Sequence, residues 1–133
     1  MSLPFPGTKV RGSTTGKPIM ALLDLLGRTW GLGIIWNLHQ GPATFRQLQR
    51  RCEHISPTLL NSRLKEFKEL NLIELCDEGY QLSTLGDELF GMIKPMEIWS
   101  KKWSQSLSGE REYKIENKVE MKSKELLKQD RNV

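Results

Sequence analysis

Apolar positions along the chain recur at helical spacing in successive blocks and, for one short interval, at strand spacing. Met20, Leu22, Leu23 and Leu26 predict a first short helix that ends near Gly27. Trp30, Ile34, Ile35 and Leu38 predict a second, stopped at Gly41-Pro42. Thr44, with Gln47 three residues on, forms a capping box for a third helix, whose buried face is supplied by Phe45 and Leu48. Glu53 to Ile55 leaves room only for a turn. Ser56 is then a good N-cap, and Pro57 at the first helical position loses no hydrogen bond. The fourth helix runs to about Leu70 with Leu60, Leu64 and Phe67 on one face.

LIELC and GYQLS flank the turn sequence DEG and predict a compact β-hairpin. Ser83 caps a last long helix in which Leu85, Leu89, Met92, Met96, Trp99 and Trp103 are spaced 4-3-4-3-4, a heptad-like seam. Pro95 lies inside that seam and should kink or split the helix. Residues 1–18 are rich in Gly, Pro, Ser and Thr and carry Lys9, Arg11 and Lys17, as expected of a flexible, slightly basic arm. Residues 19–107 then hold the folded domain with its dimerisation helices. Residues 108–133 are dense in Lys and Glu, with Glu110–Lys114 and Glu120–Lys124 as i,i+4 pairs, and predict a charged helix or tail.

The expected fold is therefore mainly α with a small β-hairpin: two helices joined by a very short turn, then a hairpin. That is a winged helix-turn-helix, here with a long C-terminal dimerisation helix. In this motif the second helix enters the major groove. Stepping about 100° per residue from Leu60, its polar face holds Thr58, Asn61, Ser62 and Lys65. Asn pairs with adenine edges and Ser and Thr with several, so these four are the candidate base contacts. Small polar residues also gather near helix starts because they compete for backbone groups, which is the bland alternative. Arg46 and Arg50, four apart on the preceding helix, share a face suited to phosphate. Arg63 lies nearer the apolar flank, where it could meet phosphate or anchor the fold through carbonyls or an acid. The seam on the last helix serves either as core or as the interface of a homodimer, and a two-fold protein matches a palindromic site.

Composition narrows the field further. The 133 residues carry a net charge of +4, too mild for a histone-like polycation. The charge is nonetheless uneven: bases outnumber acids 6 to 3 between Thr44 and Leu70, whereas Leu72 to Leu82 holds three acids and no base. No apolar run approaches the roughly 20 residues of a bilayer span, and MSLPFPGTKVRGSTTGKP lacks the apolar region of a signal peptide. A cytoplasmic location is the expectation. Cys52 and Cys76 are too few for a disulfide framework and fit apolar filler. His39 and His54 show no metal spacing, and no Cys-x-x-Cys, Walker loop or G-x-S-x-G occurs. Neither catalysis nor a cofactor or metal is expected.

The segments LGRTW, GPATFRQLQRRCEHISPTLLNSRLKEF and LSTLG, with IW in the last helix, resemble the HxlR-type transcriptional regulators, a branch of the MarR-like winged-helix superfamily. The resemblance spans about Leu23 to Trp103. It implies homodimers that join through terminal helices and bind operator DNA, and it sets Ser56, Thr58, Asn61, Ser62 and Arg63 in the recognition helix. Ser56 and Arg63 then join Arg46 and Arg50 as candidate phosphate contacts. Four features depart from the family pattern. Where the family usually reads G-G-K-W the chain has Gly27-Arg28-Thr29-Trp30, and its late-helix proline is displaced from position 91, a glycine here, to Pro95. No cysteine precedes Cys52, so the family's N-terminal redox sensing is not implied. The wing is acidic at Glu74, Asp77 and Glu78.

The expected function is a sequence-specific, homodimeric DNA-binding regulator acting on a double-stranded, near-palindromic operator. One rival is a winged helix used only for protein interaction, which the acidic wing permits. A second adds a small-molecule effector in a pocket between the dimer helices, lined by Trp30, Trp36, Met92 and Trp99.

Overall fold

The computed structural model describes residues 3–109 and 122. In order come α1 (Pro18–Leu26), α2 (Gly31–His39), α3 (Phe45–Arg51), α4 (Pro57–Glu69), β1 (Ile73–Cys76), β2 (Gly79–Leu82) and α5 (Thr84–Ile93). A further helix, α6, occupies 95–109. The chain divides into two compact units, Met1–Met92 and Ile93–Val133.

Local signals fix most boundaries in the first unit. The Thr44–Gln47 capping box is formed in both directions: Thr44 Oγ1 accepts from the Gln47 N–H (3.2 Å), and Gln47 Oε1 accepts from the Thr44 N–H (2.8 Å). Ser56 Oγ accepts from the Leu59 N–H at 3.1 Å, with Pro57 opening α4. Ser83 Oγ does the same for Gly86 at 3.0 Å, starting α5. Packing then decides what propensity leaves open. Leu60, Leu64 and Phe67 of α4 are buried, and each such side chain contributes roughly 1.5–3 kcal/mol. That outweighs the few tenths of a kcal/mol per residue lost at Thr58, Asn61 and Ser62. The same apolar cluster takes in Ile34, Ile35 and Leu38 of α2, Leu48 of α3, Ile73 and Leu82 of the hairpin, and Phe90 of α5.

The hairpin is antiparallel, with Ile73 opposite Leu82 and Cys76 opposite Gly79. Its loop is the pair Asp77-Glu78, and Gly79 opens the second strand as in the predicted GYQLS. Ala43 adds a single antiparallel bridge to Tyr80, donating to its carbonyl (2.9 Å) and accepting from its N–H (2.8 Å). The approach to α3 is thereby stitched to the wing.

Two expectations are amended. The buried stripe of α1 is Ala21, Asp24 and Leu25, not the Met20–Leu22–Leu23–Leu26 set, and Leu23 is 55% exposed. Asp24 turns inward because cationic partners meet it there. Residues 3–17, expected as a flexible arm, form turns: Val10 pairs with Ser13, the Gly7 N–H donates to the Gly16 carbonyl, and the Arg11 N–H donates to Asp24. As Pro95 predicted, the last helix is split, with a turn at Lys94 just before the proline. The charged segment predicted from 108 onward, with its two i,i+4 pairs, lies outside the described residues except for 108, 109 and 122. Among the described residues no single helix is long and apolar enough to cross a membrane.

Candidate nucleic-acid interface

The turn between α3 and α4 takes only residues 52–56. Glu53 and His54 both adopt left-handed backbone angles, φ 54° and 60°, and three bonds hold them there. The His54 N–H donates to the Gln49 carbonyl (2.7 Å), the Ile55 N–H donates to the Cys52 carbonyl (3.0 Å), and Gln49 Nε2 donates to the Ile55 carbonyl (3.2 Å). Cys52 and Ile55 are buried beneath the turn. The Cys52 thiol is buried, and that burial, opposed by Arg51 and reinforced by Glu53, raises its pKa above the ordinary thiol value.

Beyond the turn, Thr58, Asn61, Ser62 and Lys65 all lie exposed on α4. None of their side chains makes a hydrogen bond or ion pair within the described residues. Arg46 and Arg50 on α3 are likewise exposed and unpaired there. Ser56 is exposed, and its hydroxyl oxygen already caps α4, which leaves its proton for a further acceptor.

Arg63 behaves differently. Its side chain is 9% exposed; Nε donates to the Thr29 carbonyl (2.8 Å) and Nη1 meets Glu66 Oε1 (3.0 Å). Of the two roles open to it, the structure fills the structural one, because a carbonyl and an acid engage the largely buried guanidinium through Nε and Nη1. It therefore drops out of the phosphate set. Glu66 also receives Arg28 Nη1 at 2.6 Å, and Arg28 Nε reaches Asp24 Oδ1 at 3.4 Å. Burial alone would raise the Asp24 pKa; hydrogen bonds and charge from Arg28 and Arg11 more than offset this and hold it below the ordinary value. This ionic chain is invisible to periodicity, since Arg28 and Glu66 stand 38 residues apart.

The structure also adds two residues. Asn61, Leu64, Lys65, Lys68 and Tyr80 line a shallow cleft of about 170 Å³ between α4 and the wing. Lys68 was within reach of helical arithmetic, falling seven residues after Asn61 and three after Lys65. Tyr80 was not, for it arrives through the Ala43 pairing. The wing's acids face solvent; Glu74 accepts from Gln81 Nε2 across the hairpin (2.7 Å), and Asp77 and Glu78 form the tip.

The predicted seam is largely open to solvent. Leu85 and Met92 are exposed on α5, while Leu89 is half-buried against the core. On α6, Met96, Trp99 and Trp103 are exposed, and the two tryptophan rings stack at 5.8 Å. Of the side chains expected around an effector, Trp30 and Trp36 pack on the core instead, Trp36 edge-on to Phe90. Among the described residues no group of three His, Cys, Asp or Glu is placed to hold a metal ion.

Two helices across a tight turn, followed by a hairpin and an uncommitted polar face on the second helix, define a winged helix-turn-helix protein. The chain belongs to the HxlR-like helix-turn-helix family, which it matches over residues 25–108. It is a transcriptional regulator of that type and not an enzyme. The transcriptional regulator YodB of Bacillus subtilis is 28% identical over 96 residues, 67% of this chain and 86% of YodB. The crystal structure of quinone-bound YodB superposes with a TM-score of 0.59 at 30% identity, covering 64% of this chain and 97% of that one. A chain from Enterococcus faecalis V583 assigned to the MarR family of transcriptional regulators gives 0.61 at 22% identity, covering 74% and 96%, and supports the fold alone.

Proposed function

We propose that the protein binds a near-palindromic operator as a homodimer, with α4 in the major groove. One observation carries this: Thr58, Asn61, Ser62 and Lys65 stand exposed on the second helix of the motif with no partner among the described residues. Short polar side chains allow close approach to base edges, and their unused donors and acceptors match what those edges offer. Arg46, Arg50 and Ser56 supply phosphate contacts that set register and affinity. Lys68 and Tyr80 extend the same surface along the cleft beside the wing.

The homodimer reading draws on exposed apolar surface. Leu22, Leu72, Leu85, Leu89 and Met92 line a groove of about 230 Å³, and the Trp99–Trp103 stack is more than half exposed. Exposed apolar surface in either unit marks an interaction site. A second copy supplies a matching face by symmetry. Operator reading takes place beside the chromosome, in the cytoplasm of a prokaryotic cell.

Selection of bound duplexes from a random pool, followed by footprinting, tests the proposal. Inverted half-sites about one helical turn apart, ~34 Å or a multiple, are expected. Sedimentation should give a dimer that Trp99→Glu with Trp103→Glu converts to monomer. A pool that stays random, with binding no tighter than the generic ~10⁻⁴ to 10⁻⁶ M, would instead favour a protein-interaction module.

A further inference from the structure

Polar side chains of α4 have opposite fates, even one turn apart on neighbouring angles, as Ser62 and Glu66 are. Asn61, Ser62 and Lys65 face solvent without partners, while Arg63 and Glu66 are committed to the corner between α1 and α2. Glu66 bridges two arginines: Arg28 of the corner through Oε2 (2.6 Å) and Arg63 of its own helix through Oε1 (3.0 Å). Arg63 in turn donates to the Thr29 carbonyl in that corner (2.8 Å). Arg28 is anchored from behind by Asp24, which Arg11 meets from the N-terminal loop. The Arg28 and Asp24 side chains are each 2% exposed.

Apolar contacts at Leu60, Leu64 and Phe67 hold α4 against the core, but they are non-directional and tolerate rotation about the helix axis. Charge-assisted hydrogen bonds are directional and short-ranged. At the ~5–6 Å side-chain radius of a helix, a rotation of about 20° carries a side-chain tip ~2 Å. That displacement breaks a hydrogen bond to a base edge.

We propose that Glu66 is a positioning residue for DNA reading: by bridging Arg28 and Arg63 it fixes the rotation of α4, and so the aim of Asn61 and Ser62. The inference rests on α4 being the DNA-reading helix. It gives the buried Arg28 a definite task.

The test uses the full chain in two variants. Glu66→Gln keeps the shape but cannot accept from both guanidiniums. Asp24→Asn with Arg28→Met and Glu66→Leu removes the bridge without leaving Asp24 as an unpaired buried charge, since buried ion pairs replaced whole are often tolerated without loss of stability. Thermal unfolding is measured beside affinity for the selected operator and for a random duplex of equal length. Both variants should unfold cooperatively. Operator affinity should fall roughly tenfold, about the value of one bidentate base contact. Random-duplex affinity should stay within about twofold, because phosphate contact from α3 is untouched. An unchanged ratio of operator to random affinity in either folded variant overturns the proposal, as do equal losses on both duplexes. Loss of cooperative unfolding in both variants also overturns it, since the bridge would then hold the fold and not aim the helix. Failure of the underlying reading is distinct: the unaltered protein would select no sequence at all.

Discussion

Gly79→Ala tests the joint between wing and helix-turn-helix. Gly79 has φ +120°, which L-residues rarely adopt, and an added methyl would be driven into the Ala43 carbonyl oxygen. It would also sit 2.7 Å from the Ala43 carbonyl carbon and 2.8 Å from Thr44 Cα. All three neighbours are backbone, so no rotamer change relieves the clash. Backbone strain at such an angle costs about 1–3 kcal/mol. Relief by separation stretches the two Ala43–Tyr80 hydrogen bonds of 2.8 and 2.9 Å, each worth about 1 kcal/mol. The sum, about 3–5 kcal/mol, is a large share of the 5–15 kcal/mol by which a domain of this size is usually stable. Gly41→Ala is the control: its φ is +133°, yet nothing lies within 4 Å of an added methyl. It should cost strain alone. Urea unfolding followed by circular dichroism should separate the two by about 2 kcal/mol, the two stretched bonds. Equal losses in both, or less than about 1 kcal/mol at Gly79, would show that the close approach to Ala43 is not what the glycine serves.

In quantitative gel shifts, Asn61→Ala should cost about 1–3 kcal/mol at one base position and relax preference there. Arg50→Ala should weaken binding to all sequences and lower the salt slope by about 0.9, a roughly 3.5-fold smaller loss between about 50 and 200 mM salt; indistinguishable behaviour of the two variants would refute the division between base and phosphate contacts. Asp24 is held below its ordinary pKa of 3.8, so its charged form stabilises the fold above that value, and the contribution disappears as pH falls through the lower folded value. Urea midpoints should therefore drop less on acidification for Asp24→Asn than for the unaltered chain, although the variant starts less stable at neutral pH; parallel pH curves would remove Asp24 as a source. A thiol reagent should label half-exposed Cys76 in the native state and reach buried Cys52 only on unfolding; equal native rates would contradict the packing beneath the turn.

What the chain made legible was local. The Thr44–Gln47 box, the Ser56-Pro57 start and the Pro95 break each involve residues within a turn of one another, so the backbone groups they satisfy or remove are known in advance. The exposed polar face of α4 was legible for the same reason, since helical geometry fixes the angle of Asn61 relative to Leu60. The inner face of α1 was not. Periodicity assumes that charge points outward, and Asp24 points inward because Arg28 and Arg11 surround it. Arg63 was balanced between two roles because its deciding partner is the Thr29 carbonyl, 34 residues away. Tyr80 belongs to the cleft only through Ala43, a pairing that no spacing along the chain announces.

The arginines show why partner supply, more than residue type, sorts structure from recognition in this fold. Withdrawing a guanidinium from water costs several kcal/mol unless acids and carbonyls replace the lost hydration. Arg28 and Arg63 find Asp24, Glu66 and the Thr29 carbonyl within hydrogen-bonding reach. With those partners, both can lie in the interior. Arg46 and Arg50 have no acid within 4 Å among the described residues and stay hydrated on α3. Under the proposed function their counter-charge is DNA phosphate, which an anion on the neighbouring helix would weaken. On α4 the acids are Glu66, already spent inward, and Glu69, two turns beyond Ser62. The buried ionic chain therefore does a second service by keeping the Glu66 charge off the surface that Thr58, Asn61, Ser62 and Lys65 present.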